Sequence, residues 1–273
     1  MKPRVHPSSP AGYPHDFVAW VLDDALEHGC RVHGIAGLQG SGKSTLAAQV
    51  VRLAKTRGVH ALALSIDDFY LGRRERLRLG RDIHPLCATR GPPGTHDVAL
   101  ACVVLDALAA GRPVRIPRFD KISDRRLPPS RWPTASGIDL VILEGWCLKV
   151  PAQDEPELLV PLNSLERNED PGGTWRQWAN TSLREDYPPL WTLIQRMLFL
   201  QAPGFELVPQ WRWQQECTLQ AAHPQRRAMT QRQVERFVQF FERVSRQALR
   251  TLPAISDRIV RLDAVRRPNV GAI

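Results

Sequence analysis

The sequence is most informative at Gly37-Leu38-Gln39-Gly40-Ser41-Gly42-Lys43-Ser44. This segment fits the pattern G-x-x-x-x-G-K-[ST], in which glycines let successive backbone N–H groups turn towards phosphate oxygens. The lysine of the pattern reaches the β- and γ-phosphates, and its serine hydroxyl ligates Mg²⁺. We therefore predict that this segment, with Thr45, binds a nucleoside triphosphate. The alternative is an ordinary glycine-rich turn between a strand and a helix.

The residues around the loop predict a βαβ unit. Residues 30–36 form a short apolar run typical of a buried strand, and residues 45–56 place Leu46, Val50 and Leu53 on one face of a helix. A second apolar run, residues 61–66, ends at Asp67. A strand, a phosphate loop, a helix and a second strand in this order indicate parallel pairing with a crossover.

Similar patterns recur along the rest of the chain. Further helices are predicted over residues 17–28, 98–110, 175–187, 210–222 and 230–249. Further strands are predicted over residues 114–119, 138–143, 197–201 and 258–262. Residues 72–93 are expected outside the sheet, and residues 151–173 as a long surface connection. The alternation predicts one α/β domain over residues 1–273, with a mostly parallel sheet, helices on both faces and residues 1–29 as an N-terminal helical extension.

Composition excludes several classes of protein. The 273 residues are 43% hydrophobic and 24% charged, as in a globular chain. No apolar run approaches the length of a membrane span, and the N-terminus has no apolar segment typical of a secretory signal. The five cysteines lie far apart without a C-x-x-C pair, which argues against a disulfide framework or a zinc site. We therefore expect a cytoplasmic protein.

The excess of basic residues is compatible with an anionic binding partner. The 37 basic residues exceed the 28 acidic ones, and only five of the basic residues are lysines. Arginine is the better planar partner for phosphate and carboxylate groups. The sequence contains no recognisable motif for RNA or DNA binding, so a nucleic-acid-associated NTP-binding protein is the weaker alternative. Nothing in the sequence indicates an oligomeric state.

Other motifs favour a kinase among the proteins that share this loop. The sequence has neither the N-K-x-D that reads guanine nor the L-S-G-G-Q of transporter ATPases. The apolar run 140–143 ends in Glu144 rather than in the Asp-Glu pair of ATP-driven machines. Glu144 is a candidate Mg²⁺ ligand, directly or through water, and an exposed strand-end acid is the alternative.

Residues that could bind or activate the acceptor lie directly after the second strand and between residues 90 and 125. Ligands bind beyond the carboxyl ends of parallel strands, where Asp67 can accept the proton of an attacking hydroxyl. Turn or helix capping is the alternative for Asp67 and the favoured role for Asp68. Phosphoryl transfer also needs cations on the developing charge. The candidates, each with a solvated surface charge as the alternative, are Arg90, His96, Lys121 and Arg125.

Taken together, the motifs resemble the D-glycerate 3-kinase family of plant and fungal type. The resemblance rests on residues 37–45, 65–71, 90–97, 119–121 and 142–146, and it covers most of the chain from about residue 30. Residues 175–187, 211–216 and 233–246 are similar to the bacterial members. The family is related to phosphoribulokinase, uridine kinase and bacterial pantothenate kinase.

The resemblance implies roles for individual residues. It makes Asp67 the general base and Glu144 the metal-supporting acid, and it makes residues 205–228 a lid in which Arg212 contacts phosphate. Lys43 and Lys121 join them as catalytic cations. The acceptor-binding residues that we expect are Asp67, Tyr70, Arg90, His96, Asp97, Lys121 and Arg125.

The expected reaction is transfer of the γ-phosphoryl group of ATP, with Mg²⁺, to a hydroxyl of a small anionic acceptor. D-glycerate, giving 3-phosphoglycerate, is the leading acceptor. Residues 147–149, Cys-Leu-Lys, lack the glycine expected after Glu-Gly-Trp, which keeps a nucleoside, pantothenate or a sugar phosphate as alternatives. A regulatory ATP-binding protein without catalysis is disfavoured because Lys43, Ser44, Asp67 and Glu144 are all present.

Overall fold

The computed structural model describes residues 12–222, 225 and 228–269. Within these residues the strands, in chain order, are β1 (Val32–Gly37), β2 (Ala61–Ser65), β3 (Val114–Arg115), β4 (Phe119–Asp120), β5 (Arg125–Arg126), β6 (Thr134–Ala135), β7 (Leu140–Gly145), β8 (Arg196–Gln201), β9 (Arg258–Leu262) and β10 (Pro268–Asn269). The helices are α1 (His15–Glu27), α2 (Lys43–Thr56), α3 (Arg73–Asp82), α4 (Val98–Ala109), α5 (Glu155–Leu158), α6 (Ser164–Glu169), α7 (Thr174–Glu185), α8 (Pro188–Leu193), α9 (Val208–Ala222) and α10 (Gln231–Ile255).

The central sheet has the strand order β10-β9-β8-β1-β7-β2. Every neighbouring pair is parallel except β9 with β10. The strand that follows β1 in the chain, β2, is not its neighbour in the sheet, because β7 lies between them. On the other side of β1 the neighbour is β8. Such a reversal of direction opens a crevice beyond the carboxyl ends of the central strands, where ligands of open α/β sheets bind.

Two apolar layers cover the sheet. On one face α1 and α2 pack against alternate strand residues, among them Leu140 and Ile142. On the other face α4, α7 and α10 pack against the intervening residues, among them Val141 and Leu143. Because successive side chains of a strand point to opposite faces, one apolar strand serves both layers. The predicted α/β class, with helices on both faces of a mostly parallel sheet, is confirmed.

Two predicted elements differ from the structure. The run 114–119 does not form one strand of the sheet, since β3 and β4 belong to separate two-stranded ladders on either side of Pro117. Proline has no N–H to donate to a ladder, which accounts for the break. Residues 151–173 are more than a surface connection, because α5 and α6 form there and Glu166 and Asp170 are buried.

Residues 72–93 lie outside the sheet, as predicted, and they contain α3. Arg76 of this helix is 2% exposed. Its guanidinium donates to the backbone oxygens of Leu71, Ala88 and Asp124. These hydrogen bonds, and not a stripe of apolar side chains, hold α3 against the β4–β5 hairpin. The helix therefore has no hydrophobic periodicity by which the sequence could have predicted it.

The chain ends are described in part. Residues 1–11 of the predicted N-terminal extension lie outside the described residues, as do residues 223, 224, 226 and 227 of the predicted lid. No described helix is both long enough and apolar enough to span a bilayer.

Candidate active site

The phosphate loop joins β1 to α2 in the crevice of the sheet. Gly40 and Gly42 have φ of +80° and +93°, a backbone conformation that residues with a Cβ rarely adopt. Lys43 is 7% exposed, and its Nζ donates to the Leu38 carbonyl oxygen at 2.9 Å. Burial lowers the pKa of the Lys43 ammonium. A buried cation and the N-terminus of α2 therefore converge on one place, as an anion site requires.

Ser44 and Glu144 meet across the crevice. The Ser44 hydroxyl donates to Glu144 Oε1 at 2.9 Å, and Glu144 is 8% exposed near the end of β7. In the register of the sheet Glu144 lies level with Ile35 of β1 and Ser65 of β2. Mg²⁺ usually takes one or two protein oxygens and completes its shell with phosphates and water. This pair fits that donor set, and the described residues form no cluster of three His, Cys, Asp or Glu side chains suited to a metal.

Asp67 lies on a short 3₁₀ helix, Ile66–Phe69, that begins where β2 ends. Its Oδ2 accepts from Lys121 Nζ at 2.6 Å, and its Oδ1 accepts from the Tyr70 hydroxyl at 2.7 Å. A carboxylate has about four lone-pair positions, so two stay open for a ligand. Burial alone would raise the pKa of Asp67, but the charge and hydrogen bond of Lys121, with that of Tyr70, lower it to about 2. The pKa of Lys121 is raised, chiefly by the charge of Asp67.

The neighbouring carboxylate has a different task. Asp68 Oδ2 accepts from Arg118 Nη1 at 3.1 Å and takes part in a capping box with Ser65. Burial raises the pKa of Asp68. The side chain of Asp68 does not line the space beside the phosphate loop. Of the two adjacent acids, only Asp67 faces the site.

A cavity of about 170 Å³ joins these groups. Its lining residues are Gln39, Gly40, Lys43, Ser44, Asp67, Tyr70, Arg90, Lys121, Glu144, Gly145, Trp146, Arg212, Gln215, Phe237 and Phe241. It contains every catalytic residue predicted from the sequence: Asp67, Lys43, Glu144, Lys121 and Arg212. The cavity has two carboxylates on the sheet side and four cations around them, a charge distribution suited to anions.

Arg90 and Lys121 are held together by the loop that follows β4. Arg90 Nη1 donates to Asp124 Oδ1 at 2.5 Å, and Nη2 donates to the Lys121 carbonyl oxygen at 3.2 Å. The Arg90 guanidinium also lies 5.7 Å from the centre of the Phe119 ring. These contacts place Lys121 beside Asp67 although 57% of the lysine side chain is exposed.

Arg212 reaches the cavity from α9. Its Nη1 donates to Gln215 Oε1 at 2.6 Å, and its guanidinium lies 6.0 Å from the centre of the Phe237 ring. Burial lowers the pKa of Arg212. The preceding residue, Trp211, is 1% exposed and packs against Gly40 so closely that a Cβ there would lie 2.6 Å from Trp211 Cβ. The base of α9 is thus fixed on the phosphate loop; movement of residues 205–228 as a lid stays a prediction.

The structure does not bring three predicted acceptor residues to the cavity. His96 is buried behind Tyr70, on which its ring stacks at 4.7 Å, and its Nδ1 is 2.6 Å from the Tyr187 hydroxyl. Asp97 accepts from Leu100 N at the start of α4 and pairs with Arg126 at 2.7 Å. The side chain of Arg125 is exposed. His96 and Asp97 support the site through their neighbours, and the β4–β5 hairpin directs Arg126, not Arg125, inward.

Sequence reasoning missed a second, larger cavity of about 1320 Å³ on the other side of the loop. It is lined by Thr45 of α2 and by both ends of the described chain, with Tyr13 and Pro14 from one end and residues 266–268 from the other. No local pattern marks the residues of the two chain ends, because they meet the loop only through long-range packing, whereas Thr45 was predicted as part of the loop site. The volume of the cavity is suited to the base and ribose of a nucleotide whose phosphates lie on the loop.

Known proteins match this chain in sequence and in fold. It is 35% identical to the uncharacterized kinase mug58 of Schizosaccharomyces pombe over 198 residues, which are 69% of this chain and 70% of that protein. It is 31% identical to the chloroplastic D-glycerate 3-kinase of Arabidopsis thaliana over 207 residues, 69% of this chain but 41% of the plant protein. A scan against protein-family models finds no match.

The fold is similar to that of D-glycerate 3-kinase from Cryptococcus neoformans var. grubii. The TM-score is 0.73 at 24% identity, with 93% of this chain and 96% of the other covered. A likeness at this identity concerns the fold, and the sequence matches carry the family. At the identities and coverages given above, the chain belongs to the glycerate 3-kinase-like family of P-loop kinases and is a phosphotransferase with a hydroxyl acceptor.

Proposed function

We propose that this protein transfers the γ-phosphoryl group of ATP to the 3-hydroxyl of D-glycerate, giving ADP and 3-phosphoglycerate. Membership of the family implies a small-molecule acceptor and the use of ATP. The observation that carries the proposal is the Asp67–Lys121 pair, a carboxylate and an ammonium 2.6 Å apart in a small cavity that shares its wall with Lys43.

The cavity supports a small anionic acceptor. Its volume of about 170 Å³, against about 1320 Å³ for the neighbouring cavity, suits a three-carbon acid better than a nucleoside. Lys121, Arg90 and Arg212 supply cations for a carboxylate, and Arg90 is already held in place by Asp124. Lys121 and Arg90 already pair with Asp67 and Asp124, and a negatively charged acceptor would be attracted to this group of cations, an attraction that a neutral acceptor would lack.

In the proposed reaction the acceptor hydroxyl binds to a free lone pair of Asp67. Because its pKa is about 2, the carboxylate is ionised at neutral pH and orients the hydroxyl. A carboxylate of this pKa is a weak base, but the loose transition state of phosphoryl transfer needs positioning more than strong proton abstraction. The hydroxyl proton passes to Asp67 as the new P–O bond forms and the bond to the ADP oxygen breaks.

Cations of the chain stabilise the charge that shifts during the transfer. Lys43 and the loop N–H groups hold the β- and γ-phosphates, while Lys121 and Arg212 approach the transferred group from the acceptor side. Ser44 and Glu144 are the residues that would hold Mg²⁺, which neutralises phosphate charge when bound.

All five cysteines are free thiols, in keeping with the reducing cytoplasm that we propose as the location.

An acceptor panel tests the proposal. ADP release is measured with ATP, Mg²⁺ and, in turn, D-glycerate, L-glycerate, uridine, pantothenate and ribulose 5-phosphate. We expect the highest kcat/KM with D-glycerate and a product phosphorylated at C3. The Lys43→Met variant, which lacks the loop cation, is the control for contaminating kinases. A higher kcat/KM with any other acceptor would refute glycerate as the substrate.

A further inference from the structure

The two ends of the described chain meet at the phosphate loop. Tyr13 precedes α1, and Arg266 lies in the turn between β9 and β10. Both line the larger cavity beside the loop, and both donate hydrogen bonds to loop carbonyl oxygens. The chemistry proposed above assigns no task to either residue.

Tyr13 is held rigidly against α2. Its backbone N–H donates to Gln49 Oε1 at 2.8 Å, and Gln49 Nε2 donates back to the Tyr13 carbonyl oxygen at 2.9 Å. The Tyr13 ring packs on Phe17 of α1 at 5.3 Å between centres. The position of the hydroxyl is therefore determined by α1 and α2 together, before any ligand binds.

From this position the Tyr13 hydroxyl donates to the Ser41 carbonyl oxygen at 2.6 Å. Burial raises the pKa of Tyr13 above its usual value, so the hydroxyl remains a donor at any working pH. The contact leaves no room for a larger residue at Gly42, where a Cβ would lie 2.9 Å from the Tyr13 hydroxyl oxygen. The fit is close enough to determine the orientation of one peptide group.

That peptide group belongs to the phosphate cradle. A trans peptide is planar, and its C=O and N–H point in opposite directions. When Tyr13 holds the Ser41 carbonyl on the side of the larger cavity, the N–H of Gly42 must face the other way, into the loop. Arg266 Nη1 donates to the preceding carbonyl, that of Gly40, at 3.3 Å, so two successive carbonyls of the loop are held from outside.

We infer that Tyr13 is a positioning residue for the triphosphate, acting through the Ser41–Gly42 peptide, and that the N-terminal segment is thereby part of the nucleotide site. The inference rests on the ATP binding of the proposed function. Tyr13 needs no contact with the nucleotide base, because its effect reaches the ligand through the loop. Affinity for the phosphate chain alone should therefore depend on it.

The test compares two ligands and two variants by isothermal titration calorimetry. Tyr13→Phe removes the hydroxyl and keeps the ring. Thr251→Val is the matched control, because it removes a hydroxyl that donates to a backbone oxygen in α10, at 2.8 Å, and lines neither cavity. The ligands are ATP and inorganic tripolyphosphate, which has the phosphates without a base.

We expect Tyr13→Phe to raise the Kd of both ligands about fivefold, as for a lost hydrogen bond, and to raise KM for ATP with kcat within about twofold. Thr251→Val should bind both ligands as the wild type does. Unchanged binding in Tyr13→Phe, or weaker binding of ATP alone, would overturn the inference and leave the proposed function standing. A wild type that bound neither ligand would overturn both.

Discussion

Asp67 and Asp68 offer a comparison of two adjacent carboxylates with different tasks. Asp67 lines the cavity and keeps lone pairs open beside Lys121, whereas Asp68 pairs with Arg118 and caps a turn. Replacing each in turn by alanine removes the same atoms from neighbouring positions of one short helix. We expect similar, modest effects on stability but very different effects on turnover in the two variants.

The magnitudes follow from the contacts. Removing a general base costs about 10²–10⁴ in rate, or about 2.7–5.4 kcal/mol at 1.36 kcal/mol for each factor of ten. Asp67→Ala loses an ion pair whose lysine partner is 57% exposed and the hydrogen bond from the buried Tyr70 hydroxyl, about 1–2 kcal/mol in stability. Asp68→Ala loses half of a capping box and an ion pair, about 1–2 kcal/mol in stability, which corresponds to a Tm lower by roughly 2–8 °C.

Three measurements characterise the variants. Steady-state ADP release gives kcat for the acceptor, and differential scanning calorimetry gives Tm; ATP titration confirms that the nucleotide still binds. Asp67→Ala should retain ATP affinity with kcat reduced at least a hundredfold, while Asp68→Ala keeps kcat within about threefold. If the two variants had kcat values within tenfold of each other, the assignment of Asp67 would be wrong.

Other parts of the site give further predictions. Glu144→Gln should raise the Mg²⁺ concentration needed for half-maximal activity severalfold, since a carboxylate is lost near the metal position; an unchanged Mg²⁺ titration would remove that role. Lys121→Met removes the charge that depresses the pKa of Asp67, so burial raises that pKa and the fraction of activity retained at pH 5 relative to pH 8 falls below the wild-type fraction. An identical pH profile of kcat/KM in wild type and variant would contradict this account. Gly40→Ala should weaken ATP binding at least tenfold in titrations, because its Cβ would lie 2.6 Å from Trp211 Cβ at a φ of +80°; wild-type affinity would show that the loop relaxes freely.

The sequence predicted the centre of the fold and most of the site because those features are local. The glycine pattern of the loop, the apolar run of β7 and the acids that end two strands are each visible within a few residues. Their convergence follows from one rule, that the carboxyl ends of parallel strands lie at one edge of the sheet. Asp67 and Glu144 could therefore be placed together without coordinates.

The remaining features depend on packing that no local pattern shows. The hairpin β4–β5 turns at Asp124, a residue with φ of +53°, and this turn decides that Arg126 rather than Arg125 points inward. Tyr13 and Arg266 reach the loop from opposite ends of the chain, over separations of 28 and 226 residues. Periodicity and motif spacing carry no information about contacts of this kind.

The two cavities have several lining residues in common, among them Arg90, Lys121 and Arg212. A cation that serves two anionic ligands couples their affinities, because each ligand changes the potential that the other meets, and the coupling free energy is the same in both directions. In the proposed reaction, nucleotide and acceptor would divide these cations between them before transfer. After transfer, ADP and a more highly charged product would compete for the same charges, so we expect mutual repulsion to favour the departure of one product and to work against a trapped ternary complex.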